Sequence, residues 1–218
     1  MTRNPRVRHR APDPRHADAR AQRREELLEA ADRIVRRDGP RASMTEIAAA
    51  AGVTKPILYK HFGDKGGLYR ALAERYVHRL LDELRSALAR ETRPRARLET
   101  TIATYVSFVD REREAYGFLM HRAIDERSEA QAAVADFIHQ LGQELTIVLG
   151  EELRKNGVDS AAAEPWAHGI VGLVHLAADR WLEHPSMPRD RLVEYLTALL
   201  WDGLAHLPAQ PALQRDAG

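Results

Sequence analysis

Apolar residues recur along the chain at three- and four-residue steps between Gly and Pro punctuation, and no segment alternates strictly between apolar and polar. The pattern predicts an all-α protein. The first stripe, Leu27, Leu28, Ala31, Ile34 and Val35, has a charged far face and stops at Asp38-Gly39-Pro40, a helix-ending signal. A short second helix follows, with Ser43 and Glu46 at capping-box spacing and Met44, Ile47, Ala48 and Ala51 turned inward until Gly52 ends it. A third short helix starts at Thr54, whose hydroxyl is placed to cap backbone N–H groups. It tolerates Pro56 in its first turn and runs to about Phe62.

A long helix then extends from about Leu68 to Arg90, with Leu68, Leu72, Tyr76, Leu80, Leu84 and Leu88 in one row. Pro94 opens another that carries Leu98, Ile102, Tyr105, Val106 and Val109 and breaks near Arg113. A short helix covers about Tyr116 to Ile124, and a long amphipathic one about Ser128 to Asn156. Two final helices, about Ala163 to Glu183 and Pro188 to Leu207, flank His184-Pro185. The punctuation divides the chain into a basic flexible arm (1–22), a helix-turn-helix head (23–67), a larger helical bundle joined to it by the long helix (68–208) and a flexible tail (209–218).

Composition narrows the function classes. The chain has 218 residues, 44% of them hydrophobic, enough for a substantial core. No apolar run approaches a membrane span, and the Arg- and Pro-rich N-terminus lacks a signal-peptide stretch, so a cytoplasmic protein is expected, with no membrane partner. The absence of cysteine removes disulfides, thiolate zinc sites and cysteine nucleophiles, and no cofactor is implied. Net charge is only +1, so the placement of charge carries the argument. The segment before the first stripe holds Arg3, Arg6, Arg8, Arg10, Arg15, Arg20, Arg23 and Arg24 against Asp13 and Asp18, with Pro5, Pro12 and Pro14 opposing a helix. Such an arm could lie along DNA phosphates or remain a solvated tail. Of the four lysines, Lys55, Lys60 and Lys65 fall in one short stretch; the fourth is Lys155.

The run from Thr45 to Tyr59 has the grammar of a helix-turn-helix. Ala48 lets two helices approach, Gly52 can adopt the left-handed turn conformation, and Val53 and Leu58 plug the gap. The second helix of such a pair fits a major groove about 12 Å wide. Thr54 and Lys55 then lie where base edges come within reach, and Tyr59, Lys60, His61 and Lys65 where phosphates do. The competing reading is a bundle fragment with a solvated lysine face.

From Arg24 to Leu72 the chain resembles the DNA-binding domain of TetR-type regulators, on Thr45-x-x-x-Ala48-x-x-x-Gly52-Val53 and Leu58-Tyr59-x-His61-Phe62-x-x-Lys65. The resemblance implies a homodimer reading palindromic double-stranded DNA, usually as a repressor, and released by a small effector bound in the C-terminal domain. It implies that Thr45 meets phosphate, that Thr54 and Lys55 face bases, and that Tyr59, His61 and Lys65 hold the backbone. Where the family commonly has an acidic residue after the lysine, this chain has Gly66, which suggests capping of the next helix by Asp64.

In the larger domain the resemblance is one of layout. The last two helices look like the pair that builds the family's dimer seam, with Trp166, Ile170, Leu173, Ala177, Leu196, Leu199, Leu200 and Gly203 as its residues; an intramolecular core is the alternative. Tyr105, Phe108, Phe118, Met120, His121, Phe137, Leu141 and His175 are candidates for an apolar effector pocket with polar handles, against plain core packing. A hydrophobic effector would follow, such as a fatty acyl thioester, a sterol-like lipid or a drug. Thr54-Lys55-Pro56 also resembles the opening of this helix in regulators of lipid metabolism from high-GC bacteria. His168, His175 and Asp179 share a helix face, but no third and fourth metal ligand accompanies them. His121 with Asp125, or His175 with Asp179, could be imagined as acid-base pairs, yet no nucleophile motif or phosphate loop supports an enzyme. The remaining alternative is a helical ligand-binding or interaction protein without specific DNA binding.

Overall fold

The computed structural model describes the backbone of residues 14–125 and 129–205, and the side chains of residues 18–119 and 135–203. Among the described residues there is no strand. The helices are α1 (Pro14–Asp38), α2 (Met44–Ala50), α3 (Lys55–Phe62), α4 (Lys65–Arg90), α5 (Pro94–Arg111), α6 (Arg113–Asp125), α7 (Glu129–Lys155), α8 (Ala163–Glu183) and α9 (Arg189–Ala205). Two 3-10 turns, Gly39–Arg41 and Ser160–Ala162, follow α1 and precede α8.

Local chemistry sets the boundaries. Ser43 and Glu46 form the reciprocal capping box: the Glu46 N–H donates to Ser43 Oγ at 3.3 Å and the Ser43 N–H to Glu46 Oε2 at 3.0 Å. Gly52 takes φ 63°, the left-handed conformation the turn requires. Asp64 caps α4, accepting from the Gly67 N–H at 2.8 Å, and so starts that helix at Lys65, before the Leu68 of the apolar row.

Two local expectations change. Pro14 opens α1 instead of opposing it, since a proline in the first turn lacks only a donor that would have no partner there. Residues 14–22, read as arm, are therefore helical, and Arg20 stands on that helix. The arm's first thirteen residues, and the tail from 209, lie outside the described residues. Thr54 does sit at the cap of α3, but its hydroxyl makes no capping bond. Pro56 removes one possible donor, and the next, the Ile57 N–H, goes to the Thr54 carbonyl at 3.0 Å.

The head packs Leu27, Leu28, Ala31 and Val35 of α1 against Ile47 and Ala48 of α2, Leu58 and Phe62 of α3, and Leu68 and Leu72 of α4, all buried. The core continues without a break along α4 into the body through Tyr76, Leu80, Leu81 and Leu84. There α4 packs on α5 and α7, α7 on α8, and α5 on α9. Phe118 of α6, 1% exposed, meets Tyr69 of α4 edge-on at 4.7 Å between ring centroids. At the far end the Trp181 indole N–H donates to the Met187 carbonyl at 2.7 Å, fixing the turn between α8 and α9.

Candidate nucleic-acid interface

Because Leu58 and Phe62 are the inward residues of α3, the rest of that helix points outward. Thr54, Lys55, Ile57, Tyr59 and Lys60 are exposed, as is Thr45 on the first turn of α2. Thr45 and Thr54 thus stand at the leading ends of the two helices of the motif. Lys65, half-buried on the first turn of α4, holds its ammonium 5.4 Å from the Tyr69 ring centroid. That position adds a lysine to the positive end of a helix, a place suited to phosphate. Pattern reading missed Ile57, which is 39% exposed on this same surface. An outward isoleucine beside Lys55 offers the apolar contact that a thymine methyl accepts.

His61 stands at the end of α3 where the helical part of the arm returns. The Arg24 guanidinium lies 4.9 Å from the Phe62 ring centroid, bringing the α1 arginines beside α3. Burial first, and then the positive charges of Arg20, Lys60, Arg23 and Arg24, push the His61 imidazole below its ordinary pKa. Arg20, Arg23 and Arg24 are therefore part of the basic edge, a placement visible only once α1 is known to be helical through them.

This concentration of charge gives a signed expectation. With its pKa below 6.5, free His61 is mainly neutral at pH 7; a phosphate placed against it favours the imidazolium. DNA affinity should therefore rise as pH falls from 8 toward 6, by at most about tenfold per pH unit for each head, and the gain should vanish as pH rises through the bound-state value. His61→Gln should flatten the profile. An unchanged slope in that variant would remove His61 from the phosphate contacts.

In the body, Tyr105, Phe108, Phe118 and Phe137 are buried, and Leu141 and His175 half-buried. Met120 and His121 fall on α6, but their side chains lie outside those described. Of this set, Tyr105 and His175 meet directly, the hydroxyl 2.8 Å from Nδ1. A residue not foreseen, Tyr116, joins them with its hydroxyl 3.5 Å from the same nitrogen. Burial and then the nearby Asp179 carboxylate hold the Tyr105 phenol above its usual pKa. Burial, then Tyr105 and Asp179, does the same for Tyr116. Burial lowers that of His175, with Asp179 opposing it. The result is a neutral polar cluster, set in an aromatic and aliphatic interior. Separately, a cleft of about 350 Å³ opens between α4 and α5, lined by Asp82, Glu83, Ser86, Ala87, Arg90, Thr100 and Thr104, none of them an expected pocket residue.

His168 turns from His175 toward α7: its ring is 5.4 Å from that of His139 and its Nδ1 is 2.9 Å from the Glu164 carbonyl. Among the described residues no three His, Asp or Glu side chains converge on a metal site. Nor, among them, is any helix long and apolar enough to cross a membrane.

The expected seam residues divide. Leu199 and Gly203 are exposed, Trp166, Ile170, Leu173, Ala177 and Leu200 half-buried, and Leu196 is 6% exposed, inside this chain's own core. In this chain α9 turns the Leu196 part of its stripe onto the core. Leu176 and Tyr195, which the stripes did not single out, are 66% and 51% exposed.

Comparison with known proteins agrees over most of the chain. The family model for bacterial regulatory proteins of the tetR family matches residues 27–72, and that for the tetracyclin repressor-like C-terminal domain matches residues 83–214. An uncharacterized HTH-type transcriptional regulator of Mycobacterium tuberculosis is 34% identical over 186 residues, covering 85% of this chain and 78% of the relative. The HTH-type transcriptional activator FasR of Mycolicibacterium smegmatis is 32% identical over 192 residues, covering 87% and 86%. A solved structure of the transcriptional regulator FadR from Bacillus subtilis, in complex with stearoyl-CoA, aligns with a TM-score of 0.62 at 15% identity, covering 82% of this chain and 98% of that one.

Proposed function

The chain belongs to the tetR family of bacterial regulatory proteins, DNA-binding regulators without enzymatic activity, and on that premise we propose that it is a homodimeric repressor of a palindromic operator, released by a hydrophobic effector. The observation that carries the DNA-binding part is the outward row of Thr54, Lys55, Ile57 and Tyr59 on a helix held by a capping box, a Gly turn and two buried plugs. That row provides donors, an apolar contact and positive charge at the width of a major groove. Thr45, Lys60, His61 and Lys65 surround it and, with the Tyr59 hydroxyl at its edge, serve as phosphate contacts, which Arg20, Arg23 and Arg24 extend.

Selection of sites from a random duplex pool by the purified protein, with its mass measured in solution, tests this reading. A dimer that enriches a palindrome supports it; no enrichment at low salt overturns it. On the recovered site, Lys55→Ala should change which base is preferred at one position, worth roughly 1–3 kcal/mol, by removing a contact to a base edge. Tyr59→Phe should weaken all sequences alike by about fivefold for each head, the worth of one hydrogen bond, and Lys65→Ala should reduce the salt slope by about 1 for each head. If Lys55→Ala lowered affinity uniformly and kept the preference, Lys55 would be a phosphate contact.

For the effector, the interior around Phe108, Phe118, Phe137 and Leu141, with Tyr105, Tyr116 and His175 as its polar end, suits a long apolar chain ending in a hydrogen-bonding group. The stearoyl-CoA bound by the Bacillus subtilis regulator makes a fatty acyl thioester the first candidate to titrate. Loss of operator binding on adding an acyl-CoA of that chain length, and not on adding free CoA, would support it. One observation favours the opposite sign of regulation: the Mycolicibacterium smegmatis relative is an activator. Transcription in vitro from the selected operator, with and without the protein, decides between the two.

A further inference from the structure

Among the described residues, Glu112 is the sole charged side chain in the buried core, 3% exposed at the break between α5 and α6. A carboxylate there is costly unless positive groups reach it. They come from two other elements. Arg79 of α4 donates to Oε1 at 2.8 Å, and Arg36 of α1 brings Nη1 to 3.0 Å from Oε2, as an ion pair without hydrogen-bond alignment. Arg111 contributes Nε at 3.6 Å. Arg36 also binds Asp32 at 3.2 Å, and the buried Tyr76 hydroxyl donates to Asp32. Arg36 and Arg79 both lie over the Tyr76 ring, at 5.6 and 5.4 Å. The cluster thus joins the last turns of the head helix, the connecting helix and the first turn of α6.

The same first turn of α6 touches two other places that matter. Gly39, at φ 53°, lies so close to Glu114 that a Cβ would stand 3.3 Å from the Glu114 carbonyl oxygen, which seats the end of α1 on α6. The Tyr116 N–H donates to the Glu112 carbonyl at 2.8 Å, and the Tyr116 hydroxyl belongs to the cluster with Tyr105 and His175. One helical turn therefore separates the polar end of the proposed effector chamber from the charge that holds the head.

We propose that Glu112 is a positioning residue, an electrostatic lock that fixes the orientation of the DNA-reading head on the body. The lock rests on the DNA-binding reading for its purpose, but not for its test. Removing the carboxylate leaves Arg36 and Arg79 without their shared counter-ion, so the end of α1 is held on α6 by the close seat of Gly39 on Glu114 and of Pro40 beside Gly117, without that ion pair.

The chain has no cysteine, so Glu29→Cys on exposed α1 and Glu151→Cys on exposed α7 provide the two thiols for spin labels on one protomer, diluted with unlabelled protein. Pulsed electron resonance should show a single narrow head-to-body distance with Glu112 present, and a distribution at least about twofold wider, or two-peaked, in Glu112→Gln. Arg36→Gln, which leaves Glu112 paired with Arg79, should do the same and serves if Glu112→Gln does not fold. In parallel, on the duplex recovered by selection, one base pair inserted between half-sites should cost the parent about tenfold or more and either variant less than about threefold. Unchanged distance widths in a folded variant overturn the lock. Enrichment of no duplex by the parent overturns the DNA-binding reading instead, and the distance arm still decides the lock.

Discussion

Gly67→Ala is expected to lower unfolding stability by at least about 3 kcal/mol, roughly 6–12 °C in melting midpoint for a chain of this size, and to abolish operator binding. Gly66→Ala, one position earlier, should leave both nearly unchanged. A Cβ on Gly67 would be driven into the carbonyl oxygen of Phe62 and would lie 3.1 Å from its carbonyl carbon. Those atoms are backbone and cannot rotate away. Phe62 is the last residue of α3 and 8% exposed in the head core, so the clash can be relieved only by moving α3 or α4. Gly63, at φ 85° with its N–H on the Tyr59 carbonyl at 2.7 Å, leaves little slack between them. At Gly66 the nearest atom to a new Cβ is Asp64 Oδ1 at 3.3 Å, on a side chain that can adjust, and alanine gains about 0.8 kcal/mol of helix propensity. Denaturant unfolding and titration of the selected duplex check both variants. Binding by Gly67→Ala within threefold of the parent would show that α3 has room this structure does not give it.

The head could be read from sequence because each of its rules is local. The capping box, the left-handed Gly52 and the inward pair Leu58 and Phe62 all act within a few residues of one another. What escaped was decided at long range. Glu112 looks like one more surface charge at a helix break, and only the meeting of Arg36 and Arg79 across 76 and 33 positions reveals a buried cluster. Tyr116 met His175 for the same reason, from 59 positions away. Ile57 was passed over because an isoleucine in a helix reads as core until the neighbouring turns show which way it faces. The Thr54 cap failed on a local detail, the proline two positions on, whose consequence depends on where the next N–H points. On α9 the period identified an apolar helix, but it could not divide Leu196 and Leu199 between this chain's own core and an outer face.

That outer face carries the second large effect: Leu176→Glu combined with Leu199→Glu is expected to convert the proposed dimer to monomer and to weaken operator binding by about a hundredfold or more. In the single chain the two leucines are 66% and 61% exposed, beside Tyr195 at 51%. Packing of α8 on α7, and of α9 on α5, leaves the opposite faces of both helices uncovered by this chain. Gly169, Gly172 and Gly203 add positions where a Cβ would meet nothing within 4 Å, allowing two backbones to approach. A two-fold seam presents each substitution twice, so four carboxylates would enter an apolar contact with no new partner, and their desolvation opposes association. A monomer engages one half-site and loses the effective concentration that the linked second head supplies, commonly a factor of 10² to 10⁴. Because the replaced side chains are exposed in the monomer, helical content should persist. Mass in solution and circular dichroism then separate lost association from lost folding. A dimer that survives both glutamates would place the seam on another surface, and exposed Ile147 of α7, at 65%, marks the next face to test.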